Sequence, residues 1–212
     1  MDKPTVVLFD FDGTLTIDDT LPLYMRHVTG RWGQFCSFIS NLPAMIVLAC
    51  AGWKSVWGID AQTTKEKLLH RCFAGKSIEE VDFDARFFKG TIQRAIAVGV
   101  HAQMLKYISD SVEVAIVTAS PEVWVKPWAE VMGVKTVIGT KLEIVDGKYT
   151  GRFVGKNCNG QEKVTRIASL YPRSQYHIIA YGNSSGDIPM LRYAHEAYMC
   201  HKGEIKAYNH DK

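Results

Sequence analysis

Asp10 and Asp12 stand two residues apart in the stretch VVLFDFDGTLT, where an apolar run ends in two carboxylates and a glycine. Carboxylates held this close repel each other, so one must carry a proton or a cation must lie beside them. Mg2+ meets that need, because it takes oxygen ligands and is commonly held by one or two carboxylates together with phosphate oxygens. Asp-Gly alone is a routine turn signal. A carboxylate can also act as a nucleophile that divides one displacement into two easier ones, while a neighbouring carboxyl gives and then takes a proton. Residues able to support such chemistry recur along the chain: Thr118 and Ser120 after VEVAIV, Lys163 in QEKVTRIASL, and Asn183 and Asp187 in YGNSSGDIPML.

The pattern around these residues predicts elements that bring them together. Thr5 to Asp10 reads as a buried strand, and residues 18–99 read as helices broken near Gly30, Gly33, Pro43, Gly52, Gly58 and Gly75. After Val100, strands alternate with helices. VEVAIVTAS is a strand, and the next helix is expected to take Ser120 as its cap and Pro121 as its first residue. KTVIGT is a strand, KLEIVDGKYTGRFV a hairpin turning at Asp146 and Gly147, and EAYMC the expected last strand. Alternation of this kind implies an α/β fold with a parallel, doubly wound sheet. Residues 1–17 and 100–212 then form the core, and residues 18–99 form a helical cap inserted after the first strand. Ligands of such sheets bind at the carboxyl ends of the strands, where Asp10 and Asp12 fall.

Composition narrows the classes. The chain has 212 residues, 47% hydrophobic and 22% charged, with a net charge of +3, which excludes a disordered chain and gives no footprint for nucleic acid. Its five cysteines, Cys36, Cys50, Cys72, Cys158 and Cys200, form no C-x-x-C pair, so a reducing compartment is expected. MDKPT lacks the basic and apolar pattern of a secretory signal, and a cytoplasmic location is expected. Leu42 to Trp53 is an uncharged apolar run, shorter than the roughly 20 residues that span a bilayer. It reads as a buried helix or, flanked by Arg26, Arg31 and Lys54, as a peripheral membrane contact. Trp53, Trp57, Trp124 and Trp128 read as core or cap-interface aromatics.

DFDGTLT resembles the first motif, D-x-D-G-T, of the haloacid dehalogenase (HAD) superfamily of phosphatases. The resemblance implies that Asp10 attacks phosphorus and forms an aspartyl-phosphate, and that Asp12 serves as general acid and then base. Haloacid dehalogenases lack an acid at the second position and P-type ATPases carry Thr there, so Asp12 points to phosphoester hydrolysis. Thr118 resembles the second motif, a hydroxyl that binds the transferring phosphoryl group, with Gly13, Thr14, Ala119 and Ser120 as implied substrate contacts. Lys163 fits the lysine of the third motif, and Lys156 is its competitor. The fourth motif usually reads G-D-x-x-x-D; here Asn183 replaces the first acid and Asp187 supplies the second. Mg2+ is the implied cofactor, with Asp10, Asp12, Asn183 and Asp187 as its ligands, and the amide at 183 is expected to weaken metal binding.

Four motifs in order, with a helical insert between the first two, resemble the phosphoserine phosphatase-like branch, subfamily IB. That branch implies a HAD-like Rossmannoid sheet with a C1-type cap. Asp19 falls where phosphoserine phosphatases carry a Glu that touches the substrate amine, whereas no cap arginine for a substrate carboxylate is found. C-type phosphatidylglycerophosphatases are similar in D-x-D-G-T-L, in the apolar cap helix and in the C-x-G-x-E-K-V string, here Cys158 to Val164. The expected function is therefore a Mg2+-dependent phosphatase acting on a small phosphomonoester. The alternatives are a lipid-phosphate phosphatase recognising a phospholipid head group, a phosphotransferase, and a catalytically weak phosphate-binding protein.

Overall fold

The computed structural model describes residues 3–29 and 61–209. The Leu42 to Trp53 run lies outside the described residues, as do Arg31, Lys54, Trp57, Cys36 and Cys50. The chain opens with strand β1 (Thr5–Phe9), turns sharply through Phe11–Leu15 and enters helix α1 (20–29). Three helices follow the undescribed stretch: α2 (Ala61–Phe73), α3 (Ile78–Arg94) and α4 (Val98–Ser109). Strand β2 (Glu113–Pro121), helix α5 (Glu122–Val131) and strand β3 (Thr136–Thr140) come next, then the hairpin β4 (Leu142–Val145) and β5 (Lys148–Phe153). Helix α6 (Gln161–Leu170), strand β6 (His177–Gly182), helix α7 (Ile188–Tyr193) and strands β7 (Glu196–His201) and β8 (Glu204–Ala207) complete the chain.

The main sheet has the order β3-β2-β1-β6-β7-β8, parallel except for β8. Side-chain alternation along the strands divides the core between the two faces. Val7, Phe9, Ile116 and Tyr181 pack with Met104, Trp124 and Trp128 on one face, and Val6, Leu8, Val117 and Ala180 pack with Ile167, Met190 and Leu191 on the other. The register pairs Phe9 with Ile116 of β2 and with Tyr181 of β6. The carboxyl ends of β1 and β6 thus lie nearly level, with Asp10 directly after β1, while β2 runs on beside them to Pro121.

Two local expectations differ from the structure. EAYMC is followed by a further strand, β8, which returns antiparallel after a tight turn at Lys202 and Gly203. The strand containing Thr118 runs on through Pro121, and the helix begins at Glu122 without a side-chain cap. The physical reason is that the Ser120 hydroxyl has another partner, described below. The hairpin turns at Asp146 and Gly147 (φ 50° and 73°), as expected for a two-residue loop of the type I′ class. It also docks on the segment between α2 and α3: the Gly75 N–H donates to the Tyr149 carbonyl and the Tyr149 N–H to the Lys76 carbonyl, each at 2.9 Å. Helix α3 starts with a reciprocal capping box, Ser77 with Glu80. No described helix is long and apolar enough to cross a membrane.

Candidate active site

The sheet's carboxyl edge gathers Asp10, Lys163 and Asp187. Lys163, from the first turn of α6, places Nζ 2.6 Å from Asp10 Oδ1 and 2.6 Å from Asp187 Oδ1, and donates to the Val117 carbonyl at 2.8 Å. All three residues are buried, Lys163 to 1% exposure. Lys156, the competing lysine, is exposed. Asp187 heads α7 but does not cap it; its Oδ2 turns back to accept the N–H groups of Asn183 (3.1 Å) and Ser184 (3.0 Å) and the Ser184 hydroxyl (2.8 Å). The backbone must leave room for this return, and a Cβ at Gly182 would lie 2.6 Å from that of Asp187.

Two buried carboxylates share one ammonium, so the cluster is one positive charge short. Burial, then the Asp187 charge, push Asp10 up to about 7 against the pull of Lys163. Burial acts the same way on Asp187, but the Lys163 charge and the donors around Oδ2 outweigh it and hold Asp187 below the usual carboxylate range. Asp187 keeps the charge because it has more donors; besides Lys163, the Asp10 carboxylate accepts, among the described residues, only the Thr14 hydroxyl, at 3.0 Å. Burial opposes the charge on Lys163, and the two carboxylates more than reverse that, raising it above the ordinary lysine value.

Asp12 faces a different environment. Its Oδ1 accepts the main-chain N–H and the hydroxyl of Thr20, at 2.7 and 2.6 Å, and its Oδ2 accepts the Ser120 hydroxyl at 2.6 Å. The Trp124 indole N–H donates to the Thr20 hydroxyl at 3.2 Å, extending the chain of bonds into the core. Ser120 therefore holds Asp12 rather than a helix end, while its N–H donates to Thr118 Oγ1 at 2.9 Å. Asp19 opens to solvent at the mouth of the site; crowding by protein on its other sides, then the Asp12 charge, push it up to about 6.

Lys65 of α2 also reaches this region and donates to the Ala119 carbonyl at 2.8 Å. Burial lowers its proton affinity, countered in part by the charges of Asp19 and Asp12. Neither Lys65 nor Thr20 was legible as a site residue, because no local motif marks either one. Gly13 has φ +78°, and a Cβ there would fall 2.0 Å from the Asn183 amide nitrogen, so the glycine admits Asn183 against the first loop. The structure thus brings Asp10, Thr14, Lys163 and Asp187 to one cluster, while Thr118 joins Ser120, and Ser120 and Asp19 lie beside Asp12.

Beside the Lys163 ammonium, the side chains at Asp10, Asp12 and Asn183 offer oxygen ligands, the type that suits Mg2+. Among the described residues no three His, Cys, Asp or Glu side chains converge as a metal cage. A cation here would use Asp10, an amide or main-chain oxygen, water and substrate, which fits the sparse protein coordination typical of Mg2+. The charge deficit beside Asp10 favours the same ion.

The haloacid dehalogenase-like hydrolase family model matches residues 7–192. This chain belongs to that family. Among relatives of this hydrolase, Protein CicA of Caulobacter vibrioides is 31% identical over 200 residues, covering 92% of this chain and 85% of that protein. Phosphoserine phosphatase SerB1 of Mycobacterium tuberculosis is 30% identical over 196 residues, covering 90% of this chain and 63% of that one. A crystal structure of a protein of unknown function from Bordetella pertussis Tohama I superposes with a TM-score of 0.80 at 23% identity, covering 92% of this chain and 89% of that one. The α/β fold with a mainly parallel sheet is that of the family.

Proposed function

We propose that this hydrolase is a Mg2+-dependent phosphomonoesterase working through a phosphorylated Asp10. The observation that carries the reading is the division of labour between two carboxylates two residues apart: Asp10 lies against Lys163, and Asp12 lies in a separate clamp of Thr20 and Ser120. In the first displacement an Asp10 oxygen attacks phosphorus, the bond to the leaving oxygen breaks, and Asp12 gives that oxygen a proton. Asp12 then takes a proton from water as the water attacks phosphorus, which releases phosphate and restores Asp10. Lys163 would offset negative charge on the nucleophile and the phosphoryl oxygens, and the Thr118 hydroxyl and the N–H groups entering α5 would orient them.

Mg2+, when bound, neutralises the phosphoryl oxygens. Asp10 and Asn183 would hold it, Asp12 through its main-chain carbonyl, and Asp187 would orient Lys163 and the Asn183 loop. The core of residues 1–17 and 100–212 with a cap of residues 18–99 belongs to the same proposal, as does a small phosphorylated substrate. The named activity of SerB1 supports a phosphomonoester. The lipid-phosphate alternative rests on Leu42 to Trp53, outside the described residues, and no described feature favours phosphoryl transfer to an alcohol over hydrolysis.

The test is turnover of p-nitrophenyl phosphate with and without Mg2+, together with acid quench and mass measurement of the phosphorylated protein. Asp10→Asn abolishes both turnover and the phosphoprotein, and Asp12→Asn lowers turnover by about 10² to 10⁴. Substantial activity in folded Asp10→Asn protein overturns the mechanism.

A further inference from the structure

A cavity of about 670 Å³ opens between α3 and α5 and is closed at its base by the link from β3 to β4. That is within the size range of small-molecule sites. It lies at the carboxyl edge of the sheet yet is separate from the Asp10 cluster, since Asp10, Asp12, Lys163 and Asp187 do not line it. The Thr140 hydroxyl stands in the wall between the two, within hydrogen-bond distance of the Ala119 carbonyl (2.7 Å) and of Asn157 Oδ1 (2.8 Å).

The lining is rich in cations that the protein does not use. Arg86 and Lys89 project from α3 three residues apart, on neighbouring positions of one helix surface, and Lys141 comes from the opposite wall. None of the three side chains has a hydrogen bond or ion pair with another described residue. Lys126 is different: it pairs with Glu122 at 2.6 Å, and Glu122 also accepts the Gly139 N–H at 3.1 Å, so both groups are satisfied. Asp82 and Glu130 face the cavity too and reduce its potential, so a single negative charge gains little there.

The lining also offers a hydroxyl donor. Tyr149 lines the cavity, and its hydroxyl opens into it, with no hydrogen-bond partner among the described residues. Its ring is fixed against Phe73, with centroids 5.8 Å apart, so the hydroxyl is held in place as a donor.

We propose that the cavity between α3 and α5 is a second ligand site, which binds a small organic polyanion through Arg86, Lys89 and Lys141 with the Tyr149 hydroxyl donating to one of its oxygens. Only a ligand with at least two separated negative groups meets cations on both walls, and the Leu142 and Val123 side chains give its carbon frame an apolar seat. The binding needs no phosphorus chemistry and is independent of the turnover proposed above.

The test is isothermal titration of the full chain with tricarballylate in metal-free buffer. The expected result is one site with Kd below about 1 mM. Lys89→Gln combined with Lys141→Gln weakens binding roughly tenfold through two lost charge contacts. Tyr149→Phe weakens it about tenfold through one lost hydrogen bond to a charged group. Circular dichroism establishes that each variant is folded. Absence of binding at about 10 mM, or an affinity indifferent to the lysine pair, overturns the proposal. A chain that binds tricarballylate but fails to hydrolyse phosphomonoesters leaves this site standing and removes the catalytic reading instead.

Discussion

Lys163→Met is expected to destabilise the fold strongly, and by an amount that depends on pH. The side chain is buried, and methionine matches its length while removing three hydrogen bonds: 2.6 Å to Asp10, 2.6 Å to Asp187 and 2.8 Å to Val117. Removing one partner of a buried ion pair costs about 3–5 kcal/mol, because the remaining charge is left uncompensated. For a chain of this size each kcal/mol moves the melting temperature by about 2–4 °C, giving a fall of about 6–20 °C near pH 8.

The sign of the pH effect follows from Asp10. Its carboxyl already sits at about 7 with Lys163 present. That is above its unfolded value, so its protonation favours the fold as pH falls, and the contribution is lost as pH rises through about 7. Without the lysine the shift grows, Asp10 is protonated near pH 5.5, and one of the two stranded charges disappears. The gap between native and variant is therefore smaller near pH 5.5 than near pH 8. Calorimetry of metal-free protein at both pH values checks this. A fall of less than about 3 °C near pH 8, or an equal fall at both, refutes the shared-ammonium account.

Thr20→Val strands the Trp124 N–H and removes one of three donors to Asp12, so a stability loss of about 1–3 kcal/mol is expected. Its kcat should also fall while KM changes little, as steady-state kinetics and urea denaturation would show. Gly13→Ala places a Cβ 2.0 Å from the Asn183 amide at φ +78°, and backbone strain of about 1–3 kcal/mol is expected in the melting curve, together with lower turnover. Asn183→Asp adds a negative charge beside the proposed Mg2+ position; at short range this is worth about 1–4 kcal/mol, so the metal titration should tighten at least several-fold. An unchanged titration would place residue 183 outside the metal's reach.

Local sequence carried much of the architecture. The alternation of β-branched runs with amphipathic segments marks β1, β2 and β3 because side-chain period and burial are properties of short windows. The Asp146-Gly147 hairpin was equally legible, since positive φ at a two-residue turn selects those residue types. Asp10 and Asp12 could be found because a strand end with paired carboxylates is contiguous in the chain. The short β8 was not legible: its four residues are mostly exposed and take strand form by pairing with β7.

Partnerships across the chain were settled by folding. Ser120 has the chemistry of a helix cap, and a serine followed by proline cannot reveal that a carboxylate 108 residues away will bind it more closely. Lys156 and Lys163 are alike in type, and what separates them is that α6 turns Lys163 inward across 153 residues to Asp10 while Lys156 stays in solvent. Lys65 carries no motif, yet the packing of α2 brings it to Ala119. A residue's own chemistry and its neighbours in sequence state what it could bind; the cost of burying charge, paid only when the chain closes, selects which partner it does bind.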